Sequence, residues 1–122
     1  MKIITDRIHG YLDYATVIVF LVAPTLFGLS AIAAILTYAL AATHLAITVL
    51  TDFPLGIGNQ IPFVIHGGLE RLAGPLLIIV PFILGLSPES VARNFYVIVG
   101  IAITLVAWLT NYRETEERQA QA

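Results

Sequence analysis

Two histidine–carboxylate pairs of the same spacing stand at the starts of two apolar runs: His9 with Asp13, and His66 with Glu70. Residues four apart share one face of a helix, so each pair presents an imidazole and a carboxylate side by side. If the two runs meet, two imidazoles and two carboxylates converge, a donor set suited to zinc, iron or manganese. Inward-facing carboxylates and histidines on helices build such centres in bundles. The other reading is polar pairing at the membrane edge, where a carboxylate near a helix start is favoured by the dipole or pairs with Arg7 or Arg71. Asp52 is expected to join the cluster. His44 stands within a charge-free run, followed at helical steps by Thr48 and Asp52, a stripe that reads as a candidate relay. Ionisable groups inside membranes usually face the bundle interior and mark function, so His44 is expected to point inward.

The elements that position these residues come in duplicate. Ile8–Ser30 returns as Ile65–Ser87, with Ile8/Ile65, His9/His66, Gly10/Gly67, Leu12/Leu69, Pro24/Pro81, Gly28/Gly85, Leu29/Leu86 and Ser30/Ser87 identical. Leu50-Thr51-Asp52-Phe53 matches Leu109-Thr110-Asn111-Tyr112, and on that alignment the partner of His44 is Ile103. An internal repeat says that one supersecondary unit is built twice. No Asp, Glu, Lys or Arg occurs in 14–51, 72–88 or 94–112. A hydrocarbon core about 30 Å thick takes roughly 20 apolar residues per helix, and the charge-free stretches with their flanks supply four such lengths.

The expected spans are Ile8–Leu29, Ala31–Leu50, Ile65–Leu86 and Ala92–Leu109, in an all-α integral membrane four-helix bundle. It divides into hairpin repeats 8–50 and 65–109, a connecting segment 51–64 lying in the headgroup region or against the bundle, and a polar tail 110–122. Because a hairpin begins and ends on one side, the halves should be related by a pseudo-two-fold along the membrane normal, the parallel kind of repeat. Ser87 and Pro88 read as N-cap and first helical residue of the fourth span. Pro24, Pro75 and Pro81 fall within spans and predict kinks or shaped helix ends. Tyr11, Tyr14, Tyr112 and Trp108 read as interfacial anchors.

The hydrophobic content of 58% and charged content of 11% fit this class, since a soluble domain carries about a quarter charged residues. The first run is too long for a signal-peptide core and its copy lies mid-chain, so a cleaved leader is not expected. The absence of cysteine excludes disulfides and thiolate chemistry. There is no basic face for nucleic acid. Lys2, Arg7, Arg71, Arg113 and Arg118 fall on the side of the termini and only Arg93 on the other, which predicts cytoplasmic termini in a bacterial inner membrane.

A hairpin duplicated in tandem, with Pro24 and Pro81 near the ends of the first helices and a Gly-Leu-Ser turn after each, resembles the bacterial SPW-repeat membrane proteins. The segments His9-Gly10-x-Leu12-Asp13, Thr51-Asp52-Phe53-Pro54-Leu55-Gly56, Ile61-Pro62 and His66 with Glu70 carry the likeness, although Ala23-Pro24-Thr25 and Val80-Pro81-Phe82 keep only the proline of the signature. The resemblance implies a four-helix bacterial membrane protein and brings no activity with it. No catalytic motif is recognisable and no cofactor is required by the sequence. The first expectation for function is therefore a structural or accessory subunit or homo-oligomeric scaffold, with the lipid bilayer and a larger membrane complex as partners. The alternatives are a proton or ion transport element using His44 and the paired groups, and a metal- or haem-binding redox component.

Overall fold

The structure, a computed structural model, describes residues 2–121. Four long helices carry it: α1 (Asp6–Leu26), α2 (Ala31–Leu50), α3 (Phe63–Ile83) and α4 (Ser90–Leu109). Two-residue strands β1 (Thr51–Asp52) and β2 (Ile61–Pro62) lie between the hairpins, and a short helix α5 (Glu114–Gln121) follows. At 1.5 Å per residue each long helix measures about 30 Å, and all four are long and apolar enough to cross a membrane. Their outer faces are apolar as well: Ile18, Ile35, Leu72 and Ile98 are each more than half exposed. In water such a surface would be untenable; against acyl chains it is the expected one.

The tightest backbone packing is within hairpins, α1 on α2 and α3 on α4. Both first helices end the same way. Gly28 (φ 59°) and Gly85 (φ 72°) adopt the left-handed conformation, and the amides of Leu29 and Leu86 reach back to the carbonyls of Pro24 (3.0 Å) and Pro81 (2.8 Å). This is a Schellman stop, so each repeated proline supplies the carbonyl that closes its helix. The fourth helix departs from expectation. Ser87 and Pro88 lie in a turn in which Glu89 N–H bonds the Leu86 carbonyl (3.0 Å), the Ser87 carbonyl is taken by Arg93 (3.0 Å), and the helix begins at Ser90.

The core of the half remote from the termini is a cluster of Phe20, Ala23, Ala33, Ala41, Leu77, Leu86, Ala92, Phe95 and Tyr96. Its one buried phenol is satisfied, with Tyr96 Oη 2.6 Å from Thr37 Oγ1 and donating to Ala33 O at 3.1 Å. The other end is organised by the connecting segments. Thr51 pairs with Ile61 and Asp52 with Pro62 in parallel register, and a second parallel bridge joins Ile4 to Thr110. The last carbonyls of α2 are taken by Ile57, Gly58 and Gln60, and that of Leu109 by Ile4, which leaves these buried helix ends with partners. The segment 51–64 therefore packs against the bundle, and its last two residues already belong to α3. The tail, expected only to be polar, carries α5, latched to the start of α1: buried Asp6 accepts from Thr115 Oγ1 (2.7 Å) and Arg118 (3.1 Å).

Phe53, Phe63 and Tyr112 form a second, smaller apolar cluster that depends on glycine. A Cβ on Gly67 would lie 2.7 Å from the Tyr112 ring, whereas one on Gly68 would meet nothing within 4 Å. Gly67→Ala should therefore lower stability by about 1–3 kcal/mol. Gly68→Ala should be neutral or raise stability by up to about 1 kcal/mol. Unfolding of the detergent-solubilised protein followed by circular dichroism checks the contrast.

Candidate metal centre

His9 and His66 are each the fourth residue of their helix, and Asp13 and Glu70 each the eighth. At 1.5 Å per residue the carboxylates lie about 10 Å beyond the helix start, inside the apolar layer. The structure brings all four side chains together. His9 Nε2 is 3.2 Å from Asp13 Oδ1 and 3.0 Å from Glu70 Oε2. His66 Nε2 is 3.1 Å from Asp13 Oδ2 and 3.3 Å from Glu70 Oε1. Each carboxylate thus spans both imidazoles, one oxygen to each. One donor atom from every residue lies within 4.8 Å of the others, and all four residues are buried.

The opposite edges of the imidazoles are fixed by two threonines. His9 Nδ1 is 2.8 Å from Thr110 Oγ1, and His66 Nδ1 is 2.8 Å from Thr51 Oγ1. Each threonine donates its only proton to a carbonyl of the helix it follows, Thr110 to Val106 (2.6 Å) and Thr51 to Ile47 (2.6 Å). Both hydroxyls must therefore accept from the histidines, so Nδ1 carries a proton in each ring. In a neutral ring Nε2 is then the lone-pair nitrogen; in an imidazolium it carries the second proton. Neither His9 Nε2 nor His66 Nε2 has a hydrogen-bond partner despite the nearby oxygens; the contacts are close but not aligned as N–H···O.

An aromatic cage closes the site on the side of the termini. The His9 ring meets Phe63 and Tyr112 edge-on, both at 5.2 Å between centroids, and the His66 ring lies 5.7 Å from Phe63. Tyr112 donates its hydroxyl proton to Glu70 Oε2 at 3.0 Å. Burial, then the Glu70 carboxylate, push this phenol far above its ordinary range, so it remains a donor at any working pH. Gly10 and Gly67, each directly after a histidine, leave room for this cage: a Cβ at Gly10 would lie 2.7 Å from Phe53.

The remaining sequence candidates are placed differently. His44 is directed inward, with Nε2 3.5 Å from Asp13 Oδ1 and 14% of its side chain exposed, next to the quartet but not within it. Thr48 is fully buried and its hydroxyl has no partner. Asp52 does not join the cluster. The helix ends at Leu50, the chain turns into β1, and the Asp52 carboxylate instead accepts from Gln119 at 3.3 and 3.4 Å. Arg7 and Arg71 pair with neither carboxylate; Arg71 lies over Trp108 and Tyr112, 4.6 and 5.5 Å from the ring centroids. Of the expected anchors, Trp108 and Tyr11 are more than half exposed, while Tyr112 is buried in the cage.

Thr51, Thr110 and Tyr112 complete the site, a place the sequence reading did not give them; it took Tyr112 for an interfacial anchor. Their signal was the repeated tetrapeptide, in which threonine is the one polar residue kept in both copies and an aromatic ends each. Comparison with protein-family models, curated proteins and solved structures gives no match, so the site speaks through its geometry alone.

Nitrogen-15 spectra of histidine-labelled protein should show Nδ1 protonated in His9 and His66. Thr51→Val or Thr110→Val strands one buried donor and should cost about 1–3 kcal/mol with loss of that tautomer, while the Thr→Ser changes should retain it.

Proposed function

We propose that this chain is a bacterial inner-membrane protein that holds one divalent transition-metal ion in the quartet His9, Asp13, His66 and Glu70. The observation that carries the reading is that both Nδ1 atoms are committed as donors, which aims two imidazole lone pairs at two carboxylates in a buried pocket. Four acceptors facing each other out of water repel unless a cation lies among them. Protons on both Nε2 atoms would be the other remedy; those atoms lie 3.0–3.3 Å from carboxylate oxygens but out of line for N–H···O bonds, which favours the ion. One donor atom from each residue lies within 4.8 Å of the others, so the side chains need draw in only slightly to reach the ligand–ligand edges of roughly 3.4 Å of a tetrahedral ion with bonds near 2.0–2.2 Å.

The outer partners have the character of a metal site. A ligating imidazole that donates its other N–H has its tautomer and ring plane fixed, the role taken by Thr51 and Thr110. The hydroxyl of Tyr112 does the same for one oxygen of Glu70. A bis-histidine haem fits poorly, because Asp13 and Glu70 fill the space between the imidazoles that a macrocycle would occupy. What the ion does follows from its class: a Lewis acid if zinc, an electron carrier if iron or manganese. A proton or ion pathway receives less support, since the stripe His44–Thr48–Asp52 breaks where Asp52 leaves the helix.

The same reading assigns the halves to a pseudo-two-fold along the membrane normal. Its support is that equivalent residues make exchanged contacts: Ile4 with Thr110 and Ile61 with Thr51, His9 with Thr110 and His66 with Thr51. The lysine and arginine distribution favours cytoplasmic termini, which would place the centre in the cytoplasmic half of the bilayer.

Metal analysis of the protein purified in detergent without chelators should give one transition-metal ion per chain. His9→Ala and Asp13→Asn should cut retention to a residual fraction, and Thr110→Val should weaken affinity about 10–100-fold. His44→Leu should leave the stoichiometry intact. Metal-free wild-type protein that rebinds no zinc, cobalt, manganese or ferrous iron would defeat the proposal.

A further inference from the structure

Lys2, Arg71 and Arg113 converge on a cavity of about 250 Å³ that is also lined by Val64, Thr110, Asn111 and Tyr112. It lies where α3 and α4 reach the edge of the apolar layer on the side of the termini, beside the half-exposed Trp108. The guanidinium of Arg71 is stacked over Trp108 and Tyr112, and its buried Nε has no hydrogen-bond partner. Lys2 Nζ donates to the Trp108 carbonyl at 3.0 Å and lies 5.9 Å from the centroid of its ring.

Among the described residues the Lys and Arg ion pairs all belong to Arg118, with Asp6 and Glu114. Lys2, Arg71 and Arg113 therefore carry three positive charges with no carboxylate against them, in a chain whose net charge is −2. The architecture does not demand this arrangement. On the repeat alignment the equivalents of Arg71, Arg113 and Lys2 are Tyr14, Pro54 and Asn59, so the first copy builds the same helical corner without a cation. A stacked guanidinium plane and two exposed cations around a small cavity at the membrane edge suit a phosphate ester, which a guanidinium binds through paired N–H donors. The interfacial tryptophan and the apolar helix faces below it suit the glycerol and acyl portions of a lipid. Basic pockets between membrane helices take anionic headgroups in this manner.

We propose that Lys2, Arg71 and Arg113 form a binding site for the phosphate of an anionic phospholipid in the leaflet on the side of the termini. The bound headgroup would lie over Arg71, whose stacking partner Tyr112 holds Glu70 from the other side. The site stands independently of whether a metal occupies the histidine–carboxylate quartet.

Trp108, the one tryptophan of the chain, reports on the site directly. The full chain is reconstituted into phosphatidylcholine vesicles containing a minor fraction of lipid brominated at the upper acyl chain, either phosphatidylglycerol or phosphatidylcholine. Quenching of Trp108 should be stronger with the brominated phosphatidylglycerol. Each cation removed should reduce the preference about fivefold, taking the effect of one basic residue near an anionic surface. Lys2→Gln with Arg113→Gln changes two exposed side chains and leaves the Arg71 stack intact, so fluorescence relative to the unquenched variant isolates binding. Arg93→Gln, at the opposite end of the bundle, should leave the preference unchanged. Equal quenching by the two lipids, or a preference that survives in the double variant, overturns the proposal. Relief of the preference by excess inorganic phosphate would assign the pocket to a soluble phosphate and overturn the lipid assignment.

Discussion

The structure depends on one electrostatic constraint: two carboxylates and two imidazoles confined in a space a few ångströms across, inside the apolar layer. Two carboxylates buried together need positive charge among them, and water cannot supply screening there. Much of the termini-side half of the molecule can be traced to this requirement. Thr51 and Thr110 turn the imidazoles so that Nε2 faces inward, and can do so only because their own protons are taken by Ile47 and Val106. Tyr112 steadies Glu70, and Gly67 makes room for Tyr112. Removing one component leaves a buried polar atom on another, so the residues act as a set.

The connecting segments follow from the same constraint. A threonine can serve a histidine of the other hairpin only if the end of its helix is held against the start of that hairpin. The two parallel bridges, Thr51 with Ile61 and Thr110 with Ile4, do this. They cap carbonyls at the ends of α2 and α4 and fix the positions of the threonines at once. The hairpins touch each other less closely along their lengths than within themselves, so the quartet and its bridges are the principal polar tie between the halves. The latch of α5 onto Asp6 closes over the start of α1 from outside.

The helices were legible in the sequence because lipid imposes a blunt rule: long stretches without charge, ended by Gly-Leu-Ser turns. The pairs His9/Asp13 and His66/Glu70 were legible as pairs because a four-residue step fixes one face. Whether those faces met was not legible, since spacing within a helix carries no information about which helix lies opposite. Asp52 was misplaced by extending the periodicity of α2 two residues too far; strand pairing with Pro62 redirects the chain there. Ser87 and Pro88 form a plausible helix start by residue type, but the amide of Glu89 closes a turn on Leu86 first. The latch of α5 lay beyond reading from composition, because Asp6 and Arg118 are at opposite ends of the chain.

The central claim is that the four side chains share one ion, and X-ray absorption at the edge of the bound metal tests it most directly. Zinc-loaded protein should give a first shell of nitrogen and oxygen donors near 2.0–2.1 Å, with the outer-shell scattering of two imidazoles, halved in His66→Ala protein that retains residual metal. A shell of oxygen alone, or imidazole scattering unchanged by loss of His66, would contradict it.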